Sequence, residues 1–299
     1  MKRLYIVAAI LSVALVSCTQ EDEVNSVSGE KEIIITAYRE NTVKETRTIQ
    51  DSNGSIFWSL NEDISVFYHS GSNGGSKFTS TNSSIAKQVD FIGTITAITG
   101  VVEGDAVRYF YGIYPHNLEN AVNADGSIVT VIPDVQIGKA NTFADNHFVS
   151  IGKSRGLEMG FNNLCGGFWF TLNREGVTKV TLRGNSEEIL AGKVKVVLDD
   201  NGKPQVNEIL DGKSELVMTC PDGAAFQTGV KYYFVMRPVT FENGFTFTME
   251  TEDGYVGVRK VEVPIEILRS YFSYSSSAID TGVEYKREGN IVCRLLLEK

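Results

Sequence analysis

The chain has 299 residues and a formal net charge of −9, with 42% hydrophobic and 10% aromatic residues. That length and apolar share suffice for one large or two ordinary globular domains. The acidic balance leaves no electrostatic footprint for nucleic acid and argues against adhesion by charge to an anionic lipid surface.

The first element is Met1–Glu23. Lys2 and Arg3 precede an apolar run, Leu4–Val16, which ends at Ser17-Cys18 and is followed by Thr19-Gln20 and the acidic Glu21-Asp22-Glu23. A basic start, a short apolar segment and a small residue at the cut describe a secretory signal. The run is shorter than the ~20 apolar residues that a membrane-spanning helix needs. Leu15-Val16-Ser17-Cys18 also resembles a bacterial lipobox. That resemblance implies a signal peptide over 1–17, acylation (palmitate) of Cys18, and attachment to the cell outer membrane through the lipid. More than one acyl chain would make the attachment durable, since a single chain holds only reversibly. The alternative is an ordinary signal peptide with an incidental Cys near the cut. Residues 18–29 read as a lipidated acidic tether, and Glu21–Glu23 resembles a surface-export tag as well as a solvated spacer.

From residue 30 onward the pattern is β almost throughout. The strand-like runs in chain order are Ile33–Tyr38, Ile64–Tyr68, Phe91–Ile98, Val107–Tyr114, Ile128–Ile132, Phe168–Leu172, Val177–Leu182, Val194–Leu198, Glu215–Thr219, Lys231–Met236 and Ile291–Leu297. Phe245, Phe247 and Met249 alternate with Thr246, Thr248 and Glu250, as in a half-buried strand. Val256 and Val258 alternate, then Val261 and Val263 resume out of phase, which predicts a β-bulge between them. Asn53-Gly54, Asp125-Gly126, Asn201-Gly202, Asn243-Gly244 and Asp253-Gly254 supply the positive φ of tight hairpin turns. Ile265–Tyr271 and Ser83–Val89 are the two segments that could be short helices. Strands at this spacing predict an all-β, antiparallel sandwich fold. A loop-rich stretch, Asp134–Gly160, gives way to denser strands, so the expected domains are 30–160 and 161–299.

Residues that could carry chemistry do not assemble into a pattern. Cys165, Cys220 and Cys293 form no C-x-x-C, so neither a zinc knuckle nor a redox motif is written. Cys165 and Cys293 lie in apolar runs and read as buried small hydrophobes, with one disulfide among the three left open. His69, His116 and His147 fall outside any H-E-x-x-H pattern, and no G-x-S-x-G or phosphate-binding loop occurs. Asp199-Asp200-Asn201-Gly202 is faintly calcium-like, but its place after Val194–Leu198 fits a hairpin turn. Glu187-Glu188, adjacent in sequence, would point to opposite faces of a strand. The expectation is a protein without catalysis, cofactor or metal. Trp58, Tyr111 and Tyr114 read as core aromatics, with a sugar-stacking platform as the competing reading.

Several segments, in order, resemble the fimbrillin family of Mfa-like surface lipoproteins, subunits of type V pili in Bacteroidota. Thr46-Arg47-Thr48 followed by Trp58-Ser59-Leu60-Asn61-Glu62-Asp63-Ile64-Ser65-Val66-Phe67 is similar to the family's opening, with Asn61-Glu62 where the family has Gly-Asp. Tyr109–Pro115 is similar to its aromatic strand ending in Tyr-Pro. Leu190-Ala191-Gly192 and Tyr232–Pro238 leading to Glu252-Asp253-Gly254 match its second half. The resemblance spans nearly all of residues 30–299. It implies two transthyretin-like antiparallel β-sandwich domains in tandem and a role as a structural or accessory subunit of a surface fimbrium in cell adhesion. It also implies other pilus subunits as partners, with a host or bacterial surface ligand in addition.

The resemblance further implies a processing event. In fimbrillins an Arg-specific protease cuts after the first strand, which leaves with the lipid anchor, and a strand from another subunit fills the groove by β-strand addition. Here the removable strand is Ile33, Ile34, Ile35, Thr36, Ala37 and Tyr38, followed by a polar, basic stretch, Arg39–Arg47. Arg47, in its Thr-Arg-Thr context, is the first candidate cut site and Arg39 the second. The competing reading makes both arginines exposed loop residues of a permanently anchored lipoprotein. Two other classes stay open. A surface glycan-binding lipoprotein would require exposed aromatics in a row, and a secreted hydrolase would require a cleft with convergent acids or a metal.

Overall fold

The computed structural model describes residues 30–40, 56–96, 108–275, 277–279, 283–288 and 291–294. The signal segment with Cys18, the acidic tether and Arg47 lie outside the described residues. The first ten strands are β1 (Glu30–Arg39), β2 (Asp63–Tyr68), β3 (Ser76–Ser80), β4 (Gln88–Thr96), β5 (Phe110–Tyr114), β6 (Ala121–Val122), β7 (Ile128–Ile132), β8 (Val135–Ile137), β9 (Ser150–Ser154) and β10 (Glu158–Asn163). Then come β11 (Gly166–Phe170), β12 (Val177–Gly184), β13 (Ala191–Leu198), β14 (Pro204–Lys213), β15 (Glu215–Thr219), β16 (Tyr232–Met236) and β17 (Val239–Phe241). The last are β18 (Phe245–Thr251), β19 (Tyr255–Val261), β20 (Ile265–Ile267), β21 (Phe272–Tyr274), β22 (Val283–Glu288) and β23 (Ile291–Arg294). The protein is all-β; among the described residues the helical content is one 3-10 turn, Pro221–Gly223.

Seven strands close a barrel in the order β1-β10-β9-β5-β2-β3-β4. β1 completes it. It lies antiparallel to β4, from Glu30 opposite Thr96 to Tyr38 opposite Gln88, and parallel to β10, from Thr36 beside Glu158 to Arg39 beside Phe161. The period of two along a strand turns Ile35 and Ala37 into the barrel, both fully buried, while Ile34 faces out at 48% exposure. Inside, they meet Trp58, Ile64, Val66, Phe78, Phe91, Tyr114, Met159 and Phe161. Gly112 of β5 is required by this packing, because a Cβ there would stand 2.4 Å from the Phe161 ring and 2.6 Å from the Met159 sulfur.

The remaining strands form a seven-stranded sheet (β23-β22-β19-β18-β12-β15-β8), a four-stranded sheet (β14-β13-β7-β6), a three-stranded sheet (β16-β11-β21) and the β17-β20 pair. Phe168 and Phe170 of β11 pack on Phe245 and Phe247 of β18, with ring centroids 5.1 and 4.9 Å apart. The chain does not finish one set of strands before starting the other. After β5 it leaves the barrel, pairs β7 with β13 and β8 with β15, and then returns for β9 and β10. β10 carries the barrel through residue 160 to Asn163.

Three local expectations change. Ile265–Tyr271 is not helical: Ile265 and Ile267 form β20 against β17, and alternation buries Ile267. Ser83–Val89 is not helical either, since Ala86 bridges to Trp58 through both backbone groups and Gln88 opens β4. The bulge after Val258 is absent. β19 keeps one register against β18 from Val256 opposite Glu250 to Val261 opposite Phe245, and Val263 lies beyond the strand end at 59% exposure. The change of phase marks the end of the strand.

The register of β1 predicts a sharp contrast between neighbours. Ile35→Ala should lower unfolding free energy by about 2–5 kcal/mol, as for other buried isoleucines, and Ile34→Ala by no more than about 0.5 kcal/mol. Urea denaturation of the two variants checks this.

Candidate functional site: the strand that closes the barrel

Arg39, the last residue of β1, is buried, with 6% of its surface exposed. Alternation continues past Ile35 and Ala37, so its side chain follows theirs into the barrel. Its guanidinium lies over Trp58, 3.6 Å from the ring centroid, and 4.4 Å from that of Tyr114. Nη1 donates to Ser150 Oγ at 2.7 Å, and Nη2 is 3.7 Å from Glu62 Oε2. Glu62 also accepts from Tyr114 Oη at 2.7 Å and from the Ser59 backbone N–H at 3.0 Å. Burial, reinforced by the adjacent Glu62 charge, pushes the Tyr114 hydroxyl well above its ordinary value. The phenol therefore stays protonated and donates.

Glu40 makes a second junction, on the other side of the strand end. Arg269 holds its carboxylate with two parallel bonds, Nη1 to Oε2 at 2.7 Å and Nη2 to Oε1 at 2.8 Å. The Asn163 N–H donates to Oε2 at 3.0 Å, and Ser270 Oγ lies 3.2 Å away. Paired bonds of this fork-to-fork kind are among the stronger charge-assisted contacts. Burial pushes the Glu40 carboxyl up, but the Arg269 bonds and charge, the Asn163 N–H and Ser270 together hold it below the ordinary value. Arg269 also donates to the Asn163 carbonyl, which ties β1, the end of β10 and the turn after β20 together.

The sequence-derived site residues fall out as follows. Ile35 and Ala37 are buried, Ile33, Thr36 and Tyr38 half-buried, and Ile34 exposed. Arg39 is not an exposed loop residue: the strand runs one turn of the pleat further than Tyr38, and its guanidinium is enclosed, so a protease cannot reach it in this arrangement. Trp58, Tyr111 and Tyr114 are all buried, which removes them as a sugar-stacking platform. Trp169 is half-buried and stacks on the exposed Tyr274 at 4.9 Å and 6°, with Lys231 4.4 Å from its ring centroid. Sequence reasoning missed the partners of Arg39 and Glu40. One signal was present: Glu62, standing where the resembled motif has Asp, is the carboxylate that faces Arg39.

Other chemistry-bearing residues have local roles. Asp199 accepts from the Asn201 and Lys203 N–H groups, both at 2.9 Å, so 199–202 is a hairpin turn. Glu187 and Glu188 lie in the loop after β12 and bond to Arg183 and to the Ser186 N–H. Cys165 and Cys220 are free and buried, and burial pushes the Cys165 thiol up to about 12. Among the described residues no group of three or more His, Cys, Asp or Glu could hold a metal ion. A cleft of about 360 Å³ opens between Leu164, Pro204, Val206, Arg237, Leu268 and Arg269, and the one carboxylate lining it is the turn residue Asp199.

No protein-family model and no curated protein matches the chain. Solved structures do. One is a Bacteroides ovatus chain described as a "putative cell adhesion protein", 12% identical, with a TM-score of 0.41, covering 80% of this chain and 89% of its own. Another, from Bacteroides uniformis and described in the same words, is 15% identical with a TM-score of 0.40, covering 77% and 84%. The C-terminally truncated tip fimbrial protein Mfa3 of Porphyromonas gingivalis is 8% identical with a TM-score of 0.32, covering 89% and 100%.

Two outcomes follow from the strand-end geometry. Arg39→Ala should cost about 3–5 kcal/mol, because it leaves Glu62 charged inside the barrel without its ion-pair partner; equilibrium unfolding measures this. The folded Glu40 carboxyl lies below its ordinary value of 4.5. Its contribution is therefore complete above that value and fades as pH falls through the lower, folded one. The stability gap between the wild type and Glu40→Gln should be constant near neutrality and close in acid, as read by denaturation at a series of pH values.

Proposed function

We propose that this chain is an exported, lipid-anchored subunit or accessory protein of a surface fimbrium, acting in cell adhesion and not in catalysis. In this reading Cys18 carries the lipid that holds the precursor at the outer membrane, and the two sets of strands are variants of tandem transthyretin-like sandwiches. Cleavage at Arg47 then frees β1, and a strand from another subunit takes its place.

The observation that carries the proposal is the position of β1. It closes the barrel between β4 and β10, yet it is the first described strand and joins the rest of the chain through 41–55, the segment that contains Arg47. Its withdrawal would expose the backbone edges of both neighbours and the apolar faces that cover Ile35 and Ala37. Such unpaired edges are templates for another strand, and main-chain pairing with alternate side-chain pockets is the physical basis of strand addition. Burial of Arg39 supports Arg47 over Arg39 as the cut site in this mechanism. A second reading, surface glycan binding, finds an aromatic stack in Trp169 and Tyr274, a pair and not a row.

The test is digestion of the purified precursor with an Arg-specific protease. Release of the segment ending at Arg47, followed by ladder-forming polymers, is the expected result, and Arg47→Ala should abolish both. A resistant chain that stays monomeric removes the polymerising mechanism and leaves an anchored accessory protein.

A further inference from the structure

We infer that the groove filled by β1 selects its occupant by charge: an incoming strand must carry an arginine at the Arg39 position and an acidic residue directly after it. The inference rests on the strand-exchange reading and names the chemistry of the partner. Apolar burial cannot make this selection, because the hydrophobic effect is non-directional and any apolar strand of similar volume satisfies it. The groove, however, is not purely apolar. Glu62 sits in it with 7% of its side chain exposed, and among the described residues Arg39 is its ion-pair partner. An occupant without a cation would seal that carboxylate in the barrel uncompensated, the unfavourable half of a broken buried pair.

The geometry also distinguishes arginine from lysine. The guanidinium carbon lies over Trp58 at 3.6 Å from the ring centroid, approaches that of Tyr114 at 4.4 Å, and still directs Nη1 to Ser150 Oγ. An ammonium is a point charge with no plane to stack and no fork to reach Glu62 and Ser150 at once. The next residue is read separately. Because consecutive side chains leave a strand on opposite sides, the acidic residue meets Arg269 and the Asn163 N–H outside the barrel. The two positions together mark register. A slip by one residue would turn the arginine out of the barrel and leave both Glu62 and Arg269 unmatched. The fully buried Ala37, opposite Val89 and beside Met159, adds a requirement for a small residue two positions before the arginine.

Peptide exchange tests this without substituting any residue that lines the groove. The full chain, carrying a recognition sequence for a site-specific protease within 41–55, is cut and offered a fluorescent peptide of residues 30–40. The wild-type peptide should replace β1. The Arg39→Leu peptide should bind at least ~100-fold more weakly, the Arg39→Lys peptide between the two, and the Glu40→Gln peptide about 10-fold more weakly. Exchange of the Arg39→Leu peptide as readily as the wild type overturns charge selection while strand exchange stands. Failure of every peptide, the wild type included, overturns both.

Discussion

One buried cation governs the arrangement of the barrel. Arg39 enters the interior because strand alternation leaves it no other direction after Ile35 and Ala37. A guanidinium there needs counter-charge, acceptors and polarisable surface. Glu62, Ser150, Trp58 and Tyr114 provide them, and these come from three separate places in the chain: the segment before β2, the end of β5 and the start of β9. Replacing a buried ion pair by apolar residues is often neutral or stabilising, so the pair is better understood as specifying which strand lies in this position than as raising stability.

The same strand end couples the barrel to the rest of the molecule. Arg39 points inward and Glu40 to Arg269, so two adjacent residues bond to opposite sides. The strands that face the C-terminal sheets are buried on both surfaces. β2 turns Ile64 and Val66 into the barrel, while Phe67 joins a second cluster that runs through Ile113, Ile151, Phe168 and Phe247. With β7 and β8 donated to the C-terminal sheets, the two sets of strands interlock through the backbone as well as through side chains. β1 has no such double burial; Ile33 packs against the barrel core, while Ile34 on the opposite face is exposed. Its loss would remove the Glu40–Arg269 contact but neither the β7–β13 nor the β8–β15 pairing.

Much of the strand content was legible. β1, β2, β7, β12, β13, β15, β16 and β18 lie where alternation or continuous apolar runs predicted them, because those signals report burial on one or both faces of a pleat. The failures share a cause. Ile265–Tyr271 and Ser83–Val89 carry weak patterns that distant partners decide, β17 in one case and Trp58 in the other. The phase change at Val261 had two readings, bulge or strand end, and only the register against β18 distinguishes them.

For the site, the sequence by itself determined that β1 is an apolar strand with alternating faces, that Arg39 and Glu40 follow it, and that the lipobox-like segment precedes it. These are local properties, carried by residue order and the period of two. Only the tertiary structure decided that Arg39 is an interior residue and that Trp58 and Tyr114 are its cradle. It likewise decided that Glu62 and Arg269 are the charges that answer this strand end. Those partners are 19 to 229 positions away, and the contacts exist because the barrel closes between strands far apart in the chain.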